Sequence, residues 1–119
     1  MAGVLVVDDE KEVRALLRQV VEREGHDVLE ASDGFESLAV LAKEQVGLAV
    51  VDLVMPHMNG VELMQRMHQE FPDTKIVTLS AFGSSWICPT ELTVEASLTK
   101  PFEVEDLRTV LRRVLGKSQ

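Results

Sequence analysis

The chain has little of three things. It holds one cysteine, Cys88, among 119 residues, so no internal disulfide is available and a reducing compartment fits. No apolar run approaches the length of a bilayer span, and no basic-then-apolar leader opens the sequence, which predicts a cytoplasmic chain without a membrane partner. Basic residues are scarce too. Twelve Lys and Arg stand against 20 Asp and Glu, and a net charge of −8 weighs against binding nucleic acid through its phosphates. The same excess of carboxylates suits a cation site or a basic partner. Repeats, linkers and low-complexity segments are absent apart from the polar tail Lys117-Ser118-Gln119, so residues 1–119 read as a single domain able to bury its own core.

What is present is a set of short apolar runs that stop at polar residues. Leu48-Ala49-Val50-Val51 ends at Asp52, and Val4-Leu5-Val6-Val7 ends at Asp8 and Asp9. Such runs read as strands buried on both faces, the pattern of a parallel sheet. His26-Asp27-Val28-Leu29-Glu30-Ala31, Lys75-Ile76-Val77-Thr78-Leu79-Ser80 and Ala96-Ser97-Leu98-Thr99 supply three more. Between them the period changes to that of amphipathic helices. Val13, Leu16, Leu17, Val20 and Val21 form one stripe, stopped by Gly25; Phe35, Leu38, Leu41 and Ala42 form a second after the turn Ser32-Asp33-Gly34. Asn59 is a good N-cap for a third helix carrying Val61, Leu63, Met64 and Met67, and Phe71-Pro72-Asp73 closes it. The last helix, over 103–115, turns Val104, Leu107, Val110, Leu111 and Val114 inward. Between the fourth strand and the fifth, over 81–95, Gly83, Ser84, Ser85 and Pro89 break any sustained period, so the fourth of five expected helices is short or irregular.

Five strands alternating with helices predict an α/β, doubly wound, five-stranded parallel sheet of order 2-1-3-4-5 with helices on both faces. In that order the first and third strands are neighbours, so Asp8, Asp9 and Asp52 converge at the carboxyl edge, where open α/β sheets bind ligands. Three close carboxylates repel one another. A hard divalent cation relieves this best, and Mg²⁺ suits it because it accepts a few carboxylates and keeps waters that a phosphate can replace. Ser80 and Lys100 reach the same edge from the fourth and fifth strands. A carboxylate nucleophile, a metal, an amine and a hydroxyl together match phosphoryl transfer.

These motifs, Val-Val-Asp8-Asp9-Glu10, Asp52-Leu-Val-Met-Pro56-His-Met-Asn-Gly60, Thr-Leu-Ser80-Ala81 and Thr-Lys100-Pro101-Phe102, lie in family order over essentially the whole chain. The chain resembles a receiver domain of two-component response regulators, of the chemotaxis-regulator-like, flavodoxin-like kind. The resemblance implies that Asp52 accepts a phosphoryl group from a sensor histidine kinase or phosphotransfer protein. It further implies that Asp9, Asp52 and the backbone carbonyl of Val54 ligate Mg²⁺, with Asp8 acting mainly through a bound water. Lys100 would contact the phosphoryl oxygens, with its bond to Pro101 commonly cis; Ser80 would be the switch hydroxyl, and small Ala81 would leave room for the incoming group. The output would be altered binding of an effector domain or protein through the fourth expected helix, the fifth strand and the last helix. A homodimer is compatible with such a domain. On this reading the chain is not an enzyme in the usual sense but a phosphoacceptor with slow intrinsic autophosphatase activity.

Departures from the family pattern accompany the match. Three residues before Lys100, where relatives usually carry Tyr or Phe, this chain has Ser97, and the segment between Ser80 and Lys100 is about two residues shorter than usual, with Cys88-Pro89 where the fourth helix should run. These favour, as the alternative, a pseudo-receiver acting as a phosphorylation-independent interaction module. A phosphatase of the haloacid dehalogenase type needs a second Asp two residues after the nucleophile, where Val54 stands; a flavin-binding reading lacks a phosphate loop after the first strand. Apolar Val54 also offers no group to orient an attacking water, which predicts a long-lived phosphoryl state. Trp86 reads equally as core filler or partner anchor, Cys88 as a buried or inert thiol, His26, His57 and His68 as surface or loop residues, and Met55, Met58, Met64 and Met67 as core.

Overall fold

In the computed structural model, which describes residues 3–55, 57–81, 88–90 and 92–116, a parallel sheet has the order β2-β1-β3-β4-β5. The elements run β1 (Gly3–Val7), α1 (Lys11–Arg23), β2 (Val28–Ala31), α2 (Gly34–Lys43), β3 (Val46–Asp52), α3 (Gly60–Glu70), β4 (Lys75–Ser80), β5 (Ala96–Thr99) and α4 (Val104–Leu115). This is the doubly wound arrangement expected. Val4, Val6, Leu48, Val50, Val77, Leu79 and Leu98 pack on one face against Leu17, Val20 and Val21 of α1 and Leu107, Val110 and Leu111 of α4. The alternate residues Leu5, Val7, Ala49, Val51 and Ile76 pack on the other face against Leu41 of α2 and Leu63, Met64 and Met67 of α3. Strand side chains alternate between faces, so runs that are apolar at every position feed both layers.

Local signals set the helix starts. The Asp33 side chain accepts the Glu36 N–H at 2.8 Å, and Asn59 with Glu62 forms a reciprocal capping box, each satisfying N–H groups that a helix start leaves open. After α1, Gly25 takes a left-handed φ of 90°, as a helix stop requires. Met55, Met58, Met64 and Met67 are core, as expected.

Several expectations need correction. β2 starts at Val28 rather than His26. Phe35, Leu16 and Val104, expected to face inward, are exposed, Phe35 by 57%, and Ala42 is exposed as well. Phe35 and Val104 lie in first turns of helices that begin at the carboxyl edge, ahead of the sheet beneath them; Leu16 and Ala42 flank their apolar stripes. On α2 the buried positions are Gly34, Ser37 and Leu41, with the Ser37 hydroxyl donating to the Asp33 carbonyl at 2.8 Å. Of the two readings of Cys88, buried or inert, its exposure removes the first. Among the described residues no helix lies between β4 and β5, so the last expected helix is α4; residues 82–87, Trp86 among them, and 91 of the segment expected to hold the fourth helix lie outside the described residues. No described helix is long and apolar enough to cross a membrane.

Candidate functional site

The candidate side chains come from the carboxyl ends of four strands. Asp8 follows the last residue of β1, Asp52 ends β3, Ser80 ends β4 and Lys100 follows β5. Sheet-like bonding continues past the strand ends and fixes the backbone there. Asp8 N donates to the Ala31 carbonyl at 3.2 Å, Leu53 N to Leu79 at 3.0 Å, and Lys100 N to Ser80 at 2.7 Å. The position of each side chain therefore follows from strand register rather than from loop conformation. Gly60 secures the floor. A Cβ at residue 60 would lie 2.5 Å from the Asp52 carbonyl oxygen and 2.6 Å from the Leu53 Cα, both backbone atoms, so α3 can start this close only with glycine there.

Asp8, Asp9 and Asp52, far apart in sequence, each place a carboxylate oxygen within 4.8 Å of the others. Asp8 is fully buried, Asp52 nearly so, and Asp9 is exposed. Lys100 Nζ lies 2.9 Å from Asp8 Oδ2, 2.9 Å from Glu10 Oε1 and 3.3 Å from Asp52 Oδ2. The Lys100–Pro101 bond is cis. Asp52 Oδ1 accepts the Val54 N–H at 3.1 Å, and Asp8 Oδ1 accepts the Glu10 N–H at 2.9 Å. Around Val54 the contact seen is thus its N–H on Asp52, while its side chain is turned to solvent. Ser80 is buried beside β3 and β5, and Ala81 is exposed just beyond it.

Electrostatics follow from this crowding. Burial, reinforced by the charge of Asp8, raises the Asp52 carboxyl to about 6, against the opposing pull of the Val54 N–H and Lys100. For Lys100 burial alone disfavours the charge, but its contacts with Asp8 and Glu10 and the field of Asp52 prevail and hold the amine above its usual range. Asp8 Oδ2 is buried, with the Lys100 ammonium at 2.9 Å as its ion-pair partner and no other partner among the described residues. Such a buried carboxylate oxygen, in an all-oxygen donor set of three acids, fits a hard divalent cation.

Asp8, Asp9, Asp52, Lys100 and Ser80 all arrive where strand order puts them. Glu10 is the site residue that sequence reasoning misses. Its signal is the acidic run Asp8-Asp9-Glu10, but only the fold shows the third acid reaching a lysine 90 positions away.

Comparison with known proteins agrees with this geometry. The family model described as the response regulator receiver domain matches residues 4–112, and the chain belongs to that family. It is 28% identical over 114 residues to sporulation initiation phosphotransferase F of Bacillus subtilis, covering 94% of this chain and 92% of that one. It is 34% identical over 120 residues to the transcriptional regulatory protein CpxR of Klebsiella pneumoniae, covering 99% of this chain but 51% of that protein. The chain spans about half the length of the transcriptional regulators it matches. Among solved structures, response regulator protein TrrA of Thermotoga maritima in complex with Mg²⁺ and BeF superposes with a TM-score of 0.84 at 27% identity, covering 96% of this chain and 99% of that one. The chain is thus a receiver domain of two-component response regulators, a regulatory unit with the acid cluster of a phosphoacceptor site.

Proposed function

We propose that Asp52 accepts a phosphoryl group from a phosphohistidine on a sensor kinase or phosphotransfer protein. The observation that carries this is one buried carboxylate, Asp52, held 3.3 Å from the amine of Lys100 and clustered with Asp8 and Asp9. A carboxylate oxygen of Asp52 forms a bond to phosphorus as the phosphorus–nitrogen bond to imidazole breaks, and the imidazole leaves with that electron pair. Lys100 faces the oxygens that carry the developing charge, and Ser80 supplies a hydroxyl on the neighbouring strand. Asp8, Asp9, Asp52 and the Val54 carbonyl would hold Mg²⁺, which when bound neutralises charge on the transferring group. Hydrolysis later returns the Asp52 carboxylate and inorganic phosphate. Val54 gives that water no polar partner, so a phosphoryl state outlasting seconds is expected.

The added charge and acceptor oxygens recruit Ser80 and Lys100, and the face made by the fourth expected helix, β5 and α4 takes its active arrangement. A downstream effector domain or protein reads the change. Residues 1–119 act in this proposal as one receiver domain in the cytoplasm. The phosphorylation-independent module is set aside, because the acceptor, acid pair and lysine stand together at one edge.

Incubation with acetyl phosphate and Mg²⁺ is expected to add one phosphoryl group by intact mass, and Asp52→Asn to abolish the addition. An unchanged mass in the unaltered protein would overturn the proposal.

A further inference from the structure

Among the described residues Lys100 has three carboxylate partners, and of these Glu10 lies outside the acid cluster that fits a cation. Side-chain exposure rises along this chain of contacts, from 0% at Asp8 and 4% at Asp52, through 20% at Lys100, to 59% at Glu10. Glu10 therefore stands on the solvent side of the amine. Its backbone is fixed: the N–H donates to Asp8 Oδ1 at 2.9 Å, and the carbonyl accepts the Arg14 N–H at 3.1 Å at the start of α1. Its side chain makes no cap bond to that helix. Arg14, four residues on and the usual partner for such a glutamate, instead donates to Glu30 at 3.2 Å and to the Asp8 carbonyl at 2.8 Å. The Glu10 carboxylate is thereby directed to Lys100.

We propose that Glu10 is a positioning residue that receives the Lys100 amine when a divalent cation enters the Asp8, Asp9 and Asp52 cluster. This rests on the metal-dependent acceptor reading above. Without a cation, the ammonium occupies the same two buried carboxylates, Asp8 and Asp52, that the cation uses. Two cations cannot share them at no cost, so loading weakens the hold of those acids on the amine. Glu10 then becomes its principal partner. It spares Lys100 a release into water and keeps it at the mouth of the site, where phosphoryl oxygens arrive. A partner that matters more in one state than in the other shifts the balance between them, so Glu10 favours the loaded state.

The test is Mg²⁺ affinity by titration calorimetry, with no phosphodonor. Glu10→Gln is expected to weaken binding about five- to tenfold in the native background but less than about twofold beside Lys100→Met, since removing the amine removes what Glu10 receives. Glu10→Asp keeps the charge and shortens the reach, so it should behave as Glu10→Gln. Equal weakening in both backgrounds, or Glu10→Asp matching the native protein, would reduce Glu10 to a general contributor of negative charge and overturn the proposal. Failure of the native protein to bind Mg²⁺ would instead remove the underlying acceptor reading.

Discussion

On one face of the sheet β4 and β5 present Val77, Leu79, Ala96 and Leu98, and α4 covers them with Leu107, Val110 and Leu111. On the other face the same strands present Ile76, Thr78, Ser80 and Ser97, with Thr78 Oγ1 donating to Ser97 Oγ at 2.7 Å; Leu92 and Val94 are the described apolar residues that the 81–95 segment brings to that core. Burial on the first face is non-directional and large. On the second face the Thr78–Ser97 hydrogen bond adds a directional contribution with a net worth near 1 kcal/mol, roughly, beside the burial of Ile76 and Leu92. One strand pair thus joins an apolar surface to a partly polar one, and the partly polar one ends at Ser80.

This contrast can be broken at its strongest point first. Leu107→Ala empties a fully buried position on the α4 face and is expected to cost about 2–5 kcal/mol in urea unfolding. A cost as small as that of an exposed residue would mean that α4 does not seal the sheet. Next, Thr78→Val removes one hydroxyl of the pair and should cost about 1–2 kcal/mol by the same measurement. Combined with Ser97→Ala, it should cost less than the sum of the two single changes, because either change alone already breaks the Thr78–Ser97 bond. Strict additivity would show that the two hydroxyls are not an energetic unit.

The smallest effect concerns the tie between α1 and α4. Buried Glu24 accepts from Arg112 at 2.9 and 3.2 Å and from Arg108 at 3.2 Å. The hydrogen bond from Arg112 above all, aided by Arg108 and opposed by burial, holds the Glu24 carboxyl below the ordinary carboxylate range. A lowered folded-state value means that this contribution is fully present above the unfolded value of about 4.3 and is lost as pH falls through the folded one. Glu24→Gln should therefore lower Tm at neutral pH, with the gap to the native protein closing under acid conditions. Both arginines are substantially exposed, so the gap is expected to be modest. A gap that persists unchanged in acid would assign the effect to packing rather than to charge.

The elements most legible in the sequence are those whose signal is local. β4 is bounded correctly at both ends because its apolar run is flanked by Asp73-Thr74 and stops at a hydroxyl. α3 is bounded by Asn59 and Phe71 because capping is a matter of adjacent residues. Phe35, Leu16 and Val104 escape the same reading for the opposite reason: periodicity identifies a stripe, but which residues at its margins are covered depends on where the neighbouring sheet ends. The site is legible in its acids and its lysine, since strand order alone brings strand ends together.

By itself the sequence determined the alternation of strands and helices, the parallel order and the set Asp8, Asp9, Asp52, Ser80 and Lys100, because period, caps and chain connectivity are properties of the chain as written. Tertiary structure alone decided that Lys100 sits among Asp8, Glu10 and Asp52, that Asp8 Oδ2 is buried against that amine, and that Ser97 pairs with Thr78. Those facts depend on distances between residues remote in sequence, and a distance of 3 Å, roughly, is set by packing and register, which no local pattern encodes.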